Sequence, residues 1–312
     1  MSLILTNREA FGSWYESAVI NSQIKRAELA ELVARGVASS SWWESIRSAN
    51  QGEEFERHGR VALVKAEGAL DYKYSLMSWY YGGSSYMGVD NKVQAASRDT
   101  GIEKIVLYVD SPGGTHHGLL EASDSIYAAR QSKEVVAVVD PTAASAGYWL
   151  ASQATRVVAL KSAWVGSVGS QAMLYSLKRS YDEAGVDIEV LRASVSPKKN
   201  QGIPYEAITD EARAERQGWV DMAGEQFIEH VMRGRGKSRE DVLKNFGQGM
   251  MFFADDAIAR GMVDSIGNLQ SEMNVDGVQS PADRGSSTSK RVSSSHHVAS
   301  IRRESGFRFS GQ

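Results

Sequence analysis

The sequence contains no cysteine, no long hydrophobic run and no large excess of one charge. The absence of cysteine excludes disulfides, a cysteine nucleophile and thiolate metal sites. No stretch approaches the roughly 20 apolar residues that cross a bilayer, and the apolar run at the N-terminus is too short for a signal peptide. The net charge of −3 gives no general reason to expect nucleic acid or an anionic membrane as a partner. We therefore expect a soluble, cytoplasmic protein.

The composition of the chain changes twice along its length. Residues 1–60 are predicted to form a helical N-terminal arm, because apolar residues such as Leu29 and Val33 recur there at helical spacing. Residues 61–270 alternate short apolar runs with helical patterns, which predicts the main domain. Residues 271–312 hold 11 serines in 42 positions and few large apolar groups. Such a segment cannot offset the entropy of ordering, so we expect a disordered, weakly basic tail.

The main domain is predicted to be an α/β fold. Near-continuous runs of apolar and β-branched residues predict buried strands, and Leu119, Ala122, Ile126 and Ala129 form a helical stripe between two of them. Strands that alternate with helices predict a mostly parallel sheet covered by helices. The predicted strands are residues 61–64, 104–109, 134–139, 156–160 and 187–191.

The C-terminal third of this domain is predicted to be helical. Thr209, followed by two acidic residues, is typical of a helix N-cap. The helix after it is expected to bury Trp219, Met222, Phe227, Ile228 and Val231. A second helix over residues 253–260 is expected to end at Gly261.

A lone serine stands among very small residues in the run AASAG, residues 143–147. The run follows a predicted strand and opens a predicted helix, so the side chain of Ser145 can emerge at the junction. Ala146 and Gly147 leave room for a substrate backbone. The run resembles a nucleophile elbow only loosely, since Ala143 replaces the first glycine. Ser145 is the candidate nucleophile.

Two adjacent glycines, Gly113 and Gly114, end the run DSPGG after another predicted strand. Glycines let the backbone approach a ligand closely with its N–H groups exposed. Such a turn suits an oxyanion hole, in which each donor contributes about 3–4 kcal/mol. Gly113 and Gly114 are the candidate oxyanion donors.

A serine hydroxyl is a poor nucleophile until a base takes its proton. His296 and His297 lie in the predicted tail, and His230 is expected on the surface of a helix. His116 and His117 follow the two glycines and are expected to line the cleft. Because no histidine lies between Ser145 and His230, a lysine is the better candidate base.

The run KKNQGIP, residues 198–204, offers Lys198 and Lys199. A lysine accepts a proton only when neutral, so its pKa has to fall from about 10.4 to about 7–8. Burial beside apolar groups supplies such a shift. We therefore expect a buried lysine, and the residues by themselves leave the choice between Lys198 and Lys199 open.

Taken in this order, the pieces resemble the signal peptide peptidase A family of serine proteases and its phage branch, the head-maturation (prohead) proteases. The likeness covers about residues 60–268. It rests on DSPGG at 110–114, ASAGY at 144–148, VGSVG at 165–169, the Lys-x-x-Gly-x-Pro pattern of Lys199, Gly202 and Pro204, and GMVD at 261–264.

The resemblance implies a Clp-protease/crotonase-like fold of repeated β-β-α units and a serine endopeptidase that uses no metal or cofactor. It implies Ser145 as the nucleophile, Lys199 as the general base, and Gly113 and Gly114 as oxyanion donors. Ser167 is expected to orient the lysine amine through a hydrogen bond, with Ala146 as a supporting neighbour of the nucleophile. The resemblance also implies a homo-oligomer.

Within the family, two features favour the phage branch. The membrane anchor of other members is not found in this sequence, and residues 72–90 form an aromatic, glycine-rich insert that resembles phage members. The expected partners are then scaffold, portal or capsid proteins, met in the host cytoplasm or the procapsid, with no membrane and no nucleic acid required.

Three alternatives remain open from the sequence. The first is a bacterial cytosolic peptidase of the same family. The second is a catalytically silent assembly or scaffold protein with the same fold. The third, more distant, is a crotonase-type acyl-CoA enzyme, which uses a similar oxyanion hole without a serine–lysine pair.

Overall fold

The computed structural model describes residues 4–6, 48–50, 52, 54–75, 78 and 82–274. Its strands are β1 (Ile4–Thr6), β2 (Glu56–His58), β3 (Val61–Asp71), β4 (Gly83–Ser85), β5 (Lys104–Thr115), β6 (Glu134–Ala144), β7 (Arg156–Ala159), β8 (Trp164–Gly166), β9 (Met251–Phe253) and β10 (Ser265–Ile266). Its helices are α1 (Tyr86–Arg98), α2 (Leu119–Ala129), α3 (Ala146–Ser152), α4 (Lys178–Glu183), α5 (Asp210–Arg235), α6 (Arg239–Asn245), α7 (Ala254–Ala259) and α8 (Leu269–Glu272).

The strands form a parallel-rich sheet with the order β10-β7-β6-β5-β3-β2. The neighbours from β10 to β3 are all parallel, while β2 pairs antiparallel with β3. β8 extends the sheet beside the end of β6 and carries β9 on its other edge. The predicted α/β class is therefore confirmed.

The central strands are buried on both faces, which explains why their sequences are nearly continuous in apolar residues. Val135, Ala137 and Val139 of β6 belong to the larger core cluster, whereas Val136 and Val138 belong to a smaller one. This alternation is the period of two expected of a strand. Buried residues of α1, α2, α3 and α5 complete the larger cluster, and Leu269 and Met273 pack against the smaller one.

A partly buried cluster of three charged side chains ties α8 to the sheet. Glu272 lies 2.5 Å from a guanidinium nitrogen of Arg156 and 3.2 Å from Nζ of Lys104. Because removing one partner would leave a desolvated charge, such a cluster costs more to break than a surface pair. α8 thus crosses the position after residue 270 where the sequence predicts the tail to begin.

Several local predictions are confirmed. α2 buries the stripe of Leu119, Ala122, Ile126 and Ala129. The hydroxyl of Thr209 accepts the N–H of Ala212 at the start of α5. α7 ends just before Gly261, whose φ of 78° suits a helix C-terminus.

Other local predictions are wrong. Residues 187–191 do not form a strand, because Ile188 and Leu191 are 40% and 84% exposed and have no strand beside them. Trp219 and Met222 on α5 are 47% and 59% exposed. In the first half of α5 the buried residue is Ala212, whereas the second half buries Ala223, Phe227 and Val231.

The predictions for the two ends of the chain fall largely outside the described residues. This holds for most of the N-terminal arm, 1–60, including the apolar residues on which its helical pattern rests, and for the tail from residue 275. Within the arm, Ile4–Thr6 and Glu56–His58 are strands. In the insert at 72–90, residues 76, 77 and 79–81 lie outside the described part. Among the helices that are described, none combines the length and apolar character that a bilayer span requires.

Candidate active site

Ser145 occupies the single position between the last residue of β6 and the first residue of α3. Its backbone has φ 53° and ψ −121°, a conformation that costs a non-glycine residue about 1–3 kcal/mol. The residue is fully buried, and its Oγ is among the buried polar atoms of the described residues that lack a hydrogen-bond partner. A strained serine with an unpaired hydroxyl at a strand-to-helix junction is the geometry of a nucleophile elbow.

The backbone around Ser145 is held from two sides. Its N–H donates to the carbonyl of Gly166 at 2.9 Å, and its own carbonyl accepts the N–H of Trp149 at 2.9 Å. Gly147 lies against Ser111, where a Cβ would come within 3.1 Å of the Ser111 backbone oxygen. A larger residue at 147 would push the start of α3, and with it Ser145, away from β5.

Gly113 and Gly114 are buried within β5 rather than exposed in a turn, which corrects the sequence interpretation. Gly113 has φ 113°, and its N–H donates to Oγ of Ser111 at 3.1 Å. A Cβ on Gly114 would lie 1.9 Å from the carbonyl oxygen of Leu70. Glycine is therefore required at 114 by the close approach of β3.

The Ser111 side chain hydrogen-bonds to both Gly68, at the register shift of β3, and Gly113 of β5. Its Oγ donates to the carbonyl of Gly68 at 2.7 Å, at the point where β3 shifts register against β5. The same oxygen accepts the N–H of Gly113. The hydroxyl thus fixes the backbone that precedes the candidate oxyanion donors, a role that the sequence alone did not assign.

Ser167 lies one strand away from Ser145. Ala144 of β6 pairs in parallel register with Gly166 of β8, so Ser145 and Ser167 each follow one member of that pair. Ser167 is 6% exposed and has φ 55°, and its N–H donates to the carbonyl of Met250 at 2.8 Å. The register places the two serines on neighbouring strands, and the expected hydrogen bond from Ser167 to the lysine amine stays a prediction.

Lys199 is not brought to Ser145. It is exposed, and the contacts that it makes within the described part of the chain come from its backbone. The expectation of a buried lysine is therefore wrong for this structure. Lys198 is also exposed and lies 2.5 Å from a carboxylate oxygen of Glu211, which raises its pKa and keeps it charged. Of the two, Lys199 is the lysine without a carboxylate partner among the described residues.

His230 and His116 pack against Trp149 of α3, which differs from the surface position predicted for His230. His230 is half-buried, with Nδ1 2.9 Å from Oγ of Ser123 and its ring 5.1 Å from that of Trp149. Burial lowers the pKa of His230 to about 4, with the charge of Arg233 acting in the same direction. His230 is therefore a partly buried residue packed against Trp149, where a fully surface position was expected.

His116 packs edge-on against Trp149, with ring centroids 6.0 Å apart. Its Nε2 is buried without a hydrogen-bond partner among the described residues, and burial lowers its pKa. Trp149 lies one helical turn after Ser145, a spacing that could have indicated this packing. His117, by contrast, is exposed.

Asp110 is an acidic group that the sequence interpretation left unexamined. Burial raises its pKa to about 6, and repulsion from Glu67 and Asp140 adds to the shift. It precedes Ser111 on β5, so a titrating carboxyl lies at the edge of the candidate site. Among the described residues, no group of three metal-binding side chains comes together.

Comparison with known proteins agrees with this geometry. Residues 128–276 match the family model described as Peptidase family S49. The chain carries a peptidase family S49 domain. The matched range includes Ser145, Ser167 and Lys199 and begins after the two glycines of β5. The family predicted from the sequence is therefore confirmed.

Curated relatives of the chain include proteins of phages and bacteria. The chain is 29% identical over 215 residues to the head-tail preconnector protein GP5 of Enterobacteria phage P21, a match that covers 69% of this chain and 42% of that protein. It is 27% identical over 218 residues to the capsid assembly protease C of Escherichia phage lambda, covering 70% and 49%. It is 30% identical over 212 residues to protease 4 of Salmonella typhi, covering 68% and 33%.

The chain thus spans between a third and a half of the length of these relatives. Among solved structures, an enoyl-CoA hydratase/carnithine racemase from Magnetospirillum magneticum is similar over 69% of this chain and 68% of its own, with a TM-score of 0.40 and 13% identity.

Proposed function

We propose that the protein is a serine endopeptidase in which Ser145 attacks the peptide carbonyl and Lys199 is the general base. The observation that carries this proposal is the buried, unpaired hydroxyl of Ser145, held at a strained junction inside an S49 domain. Strain of this kind persists only where the surrounding fold imposes it, and it is concentrated at functional sites.

In the proposed reaction, the neutral amine of Lys199 takes the proton of Ser145 as Oγ bonds to the carbonyl carbon. Backbone N–H groups of Gly113 and Gly114 receive the oxyanion, and the N–H of Gly113 leaves Ser111 to do so. The lysine then gives its proton to the departing amine. A water molecule attacks the acyl-enzyme and loses a proton to the lysine, which passes it to Oγ of Ser145 as the acyl bond breaks.

Lys199 has to reach Ser145 for this chemistry. Either the exposed segment that carries it, residues 169–211, moves toward its own Ser145, or a second copy of the chain supplies the lysine. The expectation of a homo-oligomer fits the second route, and the exposed apolar side chains of this segment, such as Leu191 and Val195, support association. Covering the segment would also desolvate the amine and lower its pKa.

For substrates we propose proteins of a phage capsid under assembly, namely scaffold, portal or capsid proteins. The relatives named as a capsid assembly protease and a head-tail preconnector protein support this choice. A bacterial peptidase resembling protease 4 is the alternative within the family. Incubating the protein with a capsid scaffold and, separately, with unfolded bacterial proteins distinguishes the two by which one is cut.

The test of the mechanism is covalent labelling with a fluorophosphonate serine probe, followed by mass spectrometry. We expect an adduct on Ser145 that is lost in Ser145→Ala and reduced at least a hundredfold in Lys199→Ala. Lys198→Ala and Ser123→Ala are the matched controls, because each removes the same chemical group outside the proposed machinery. An adduct on Ser111 or Ser167, or none on the wild-type chain, would overturn the assignment.

Mixing the two inactive variants separates the routes to the lysine. If the lysine comes from a second copy, Ser145→Ala and Lys199→Ala together regain a fraction of the wild-type activity. If it comes from the same chain, the mixture stays inactive.

The exposure of Lys199 also favours a second candidate, a catalytically silent assembly protein with this fold. That candidate predicts no labelling under any condition, including in the presence of a capsid scaffold. Labelling of Ser145 would exclude it.

A further inference from the structure

β5 and β6 separate before β5 ends. The two strands pair residue for residue from Lys104 with Glu134 to Val109 with Val139. The register then shifts, and the last pair joins Ser111 to Ala143. From there the end of β6 pairs with β8 on its other side. The edge of β5 that faces β6 is therefore left without β6 at Gly113 and beyond.

β1 occupies this vacated edge. It pairs antiparallel with the end of β5, matching Ile4 with Thr115, Leu5 with Gly114 and Thr6 with Gly113. The opposite edge at the two glycines is already taken by β3, through Ala69 and Leu70. Since a strand has two edges, β1 must lie on the one that faces the end of β6 and hence Ser145.

An extended chain in this position lies along the candidate oxyanion donors and next to the nucleophile. A peptide substrate has to present its backbone at the same place, because its carbonyl must reach both groups. We propose that residues 4–6 of the chain occupy the groove in which a peptide substrate lies, so that this segment competes with substrate. The proposal rests on the proposed function, since it takes the groove to be the substrate site.

Three paired residues make a short strand, and short strands are only marginally stable by themselves. The segment is therefore expected to be displaced by substrate rather than to block the site permanently. Its effect should appear as a raised KM with little change in kcat.

The test compares Leu5→Pro with Leu5→Ala. Proline removes a backbone N–H and disfavours the pairing, whereas alanine keeps the backbone intact. With a peptide substrate, we expect KM to fall at least threefold in Leu5→Pro, with kcat unchanged, and to stay near the wild-type value in Leu5→Ala. Equal KM values in both variants and the wild type would overturn the proposal.

A second measurement does not require catalysis. A fluorescent peptide with the sequence of residues 1–10 is titrated into the Leu5→Pro chain and, in parallel, into the wild-type chain. We expect saturable binding that is tighter to Leu5→Pro, and no binding of the same peptide with proline in place of Leu5. Equal binding of the two peptides, or none, would contradict the proposal. The same titration can be made with Ser145→Ala, which cannot react. Peptide binding therefore tests the groove independently of the proposed enzymatic mechanism.

Discussion

Apolar side chains are buried in the sheet region, residues 61–168, but exposed in the segment of residues 169–211. In the sheet, valines such as Val136 and Val158 are fully or almost fully buried. From residue 169 to 211 no residue is buried, and Leu191 and Val195 are 84% and 95% exposed. The candidate nucleophile, Ser145, lies in the first region and the candidate base, Lys199, in the second. The fold thus holds the candidate nucleophile in place but leaves the candidate base exposed and away from it.

The difference in burial explains why strand register determines the surroundings of Ser145 but not those of Lys199. Ser145, Gly113 and Ser167 are fixed by strand register, which is determined by many buried contacts at once. Lys199 depends on a segment whose apolar groups face outward, so its working position depends on what covers that segment. The predictions that follow test this contrast, from the largest expected effect to the smallest.

Replacing a glycine by alanine should give the largest difference between the two regions in the free energy of unfolding. In Gly114→Ala the new Cβ meets the Leu70 carbonyl at 1.9 Å, so β3 and β5 must move apart, at a cost of about 3 kcal/mol in the free energy of unfolding. In Gly185→Ala nothing lies within 4 Å, and the φ of 69° costs only about 1 kcal/mol. Urea unfolding of both variants measures the difference, and equal losses would contradict the contrast.

The same deletion of two methyl groups provides a matched pair. Val136→Ala opens a cavity in a filled core and should lower the free energy of unfolding by about 2 kcal/mol. Val195→Ala removes exposed groups and should change it by less than about 0.5 kcal/mol. A large loss in Val195→Ala would mean that the segment is covered in solution, and its dependence on protein concentration would tell whether another copy covers it.

The pH dependence of stability should reveal the cost of ionising the partly buried carboxyl of Asp110. The folded-state pKa of Asp110, about 6, lies above its value of about 3.9 in an unfolded chain. Between these values the folded state holds the proton more tightly, so the free energy of unfolding falls as the pH rises from about 4 to 6 and stays lowered above that. Asp110→Asn removes this loss.

We expect Asp110→Asn to be more stable than the wild type by about 1–2 kcal/mol at pH 8, after allowance for the partial exposure of the group, and equal to it near pH 4. Denaturant unfolding at the two pH values checks this. Titration of His230 acts in both proteins alike and cancels in the comparison. A stability difference that does not change with pH would contradict the assignment.

The sequence predicted the parts of the structure that depend on local pattern. The apolar runs at 104–109 and 134–139 indicated strands because residues buried on both faces leave a continuous signal. The strands proved longer, reaching Thr115 and Ala144, because the sheet continues through small and polar residues that carry no such signal.

The misjudged residues depend on partners distant in sequence. His230 is partly buried because Ser123 and Trp149 pack against it. Leu191 is exposed although its neighbours have the pattern of a strand. The position of Ser145 was predicted since it depends on its immediate neighbours. The position of the Lys199 side chain was not, because no element of the chain's own sheet holds it.

The early parting of β5 and β6 has a consequence for selectivity. The space that it leaves is bordered by main-chain groups of Gly113 to Thr115, and glycines contribute no side chains with which to read a sequence. If substrate lies in this space, as proposed, main-chain pairing selects a polypeptide that is extended and runs in the matching direction. Under the proposed function, proteins would be cut where they expose an unfolded stretch, and a tightly folded protein would be spared whatever its sequence.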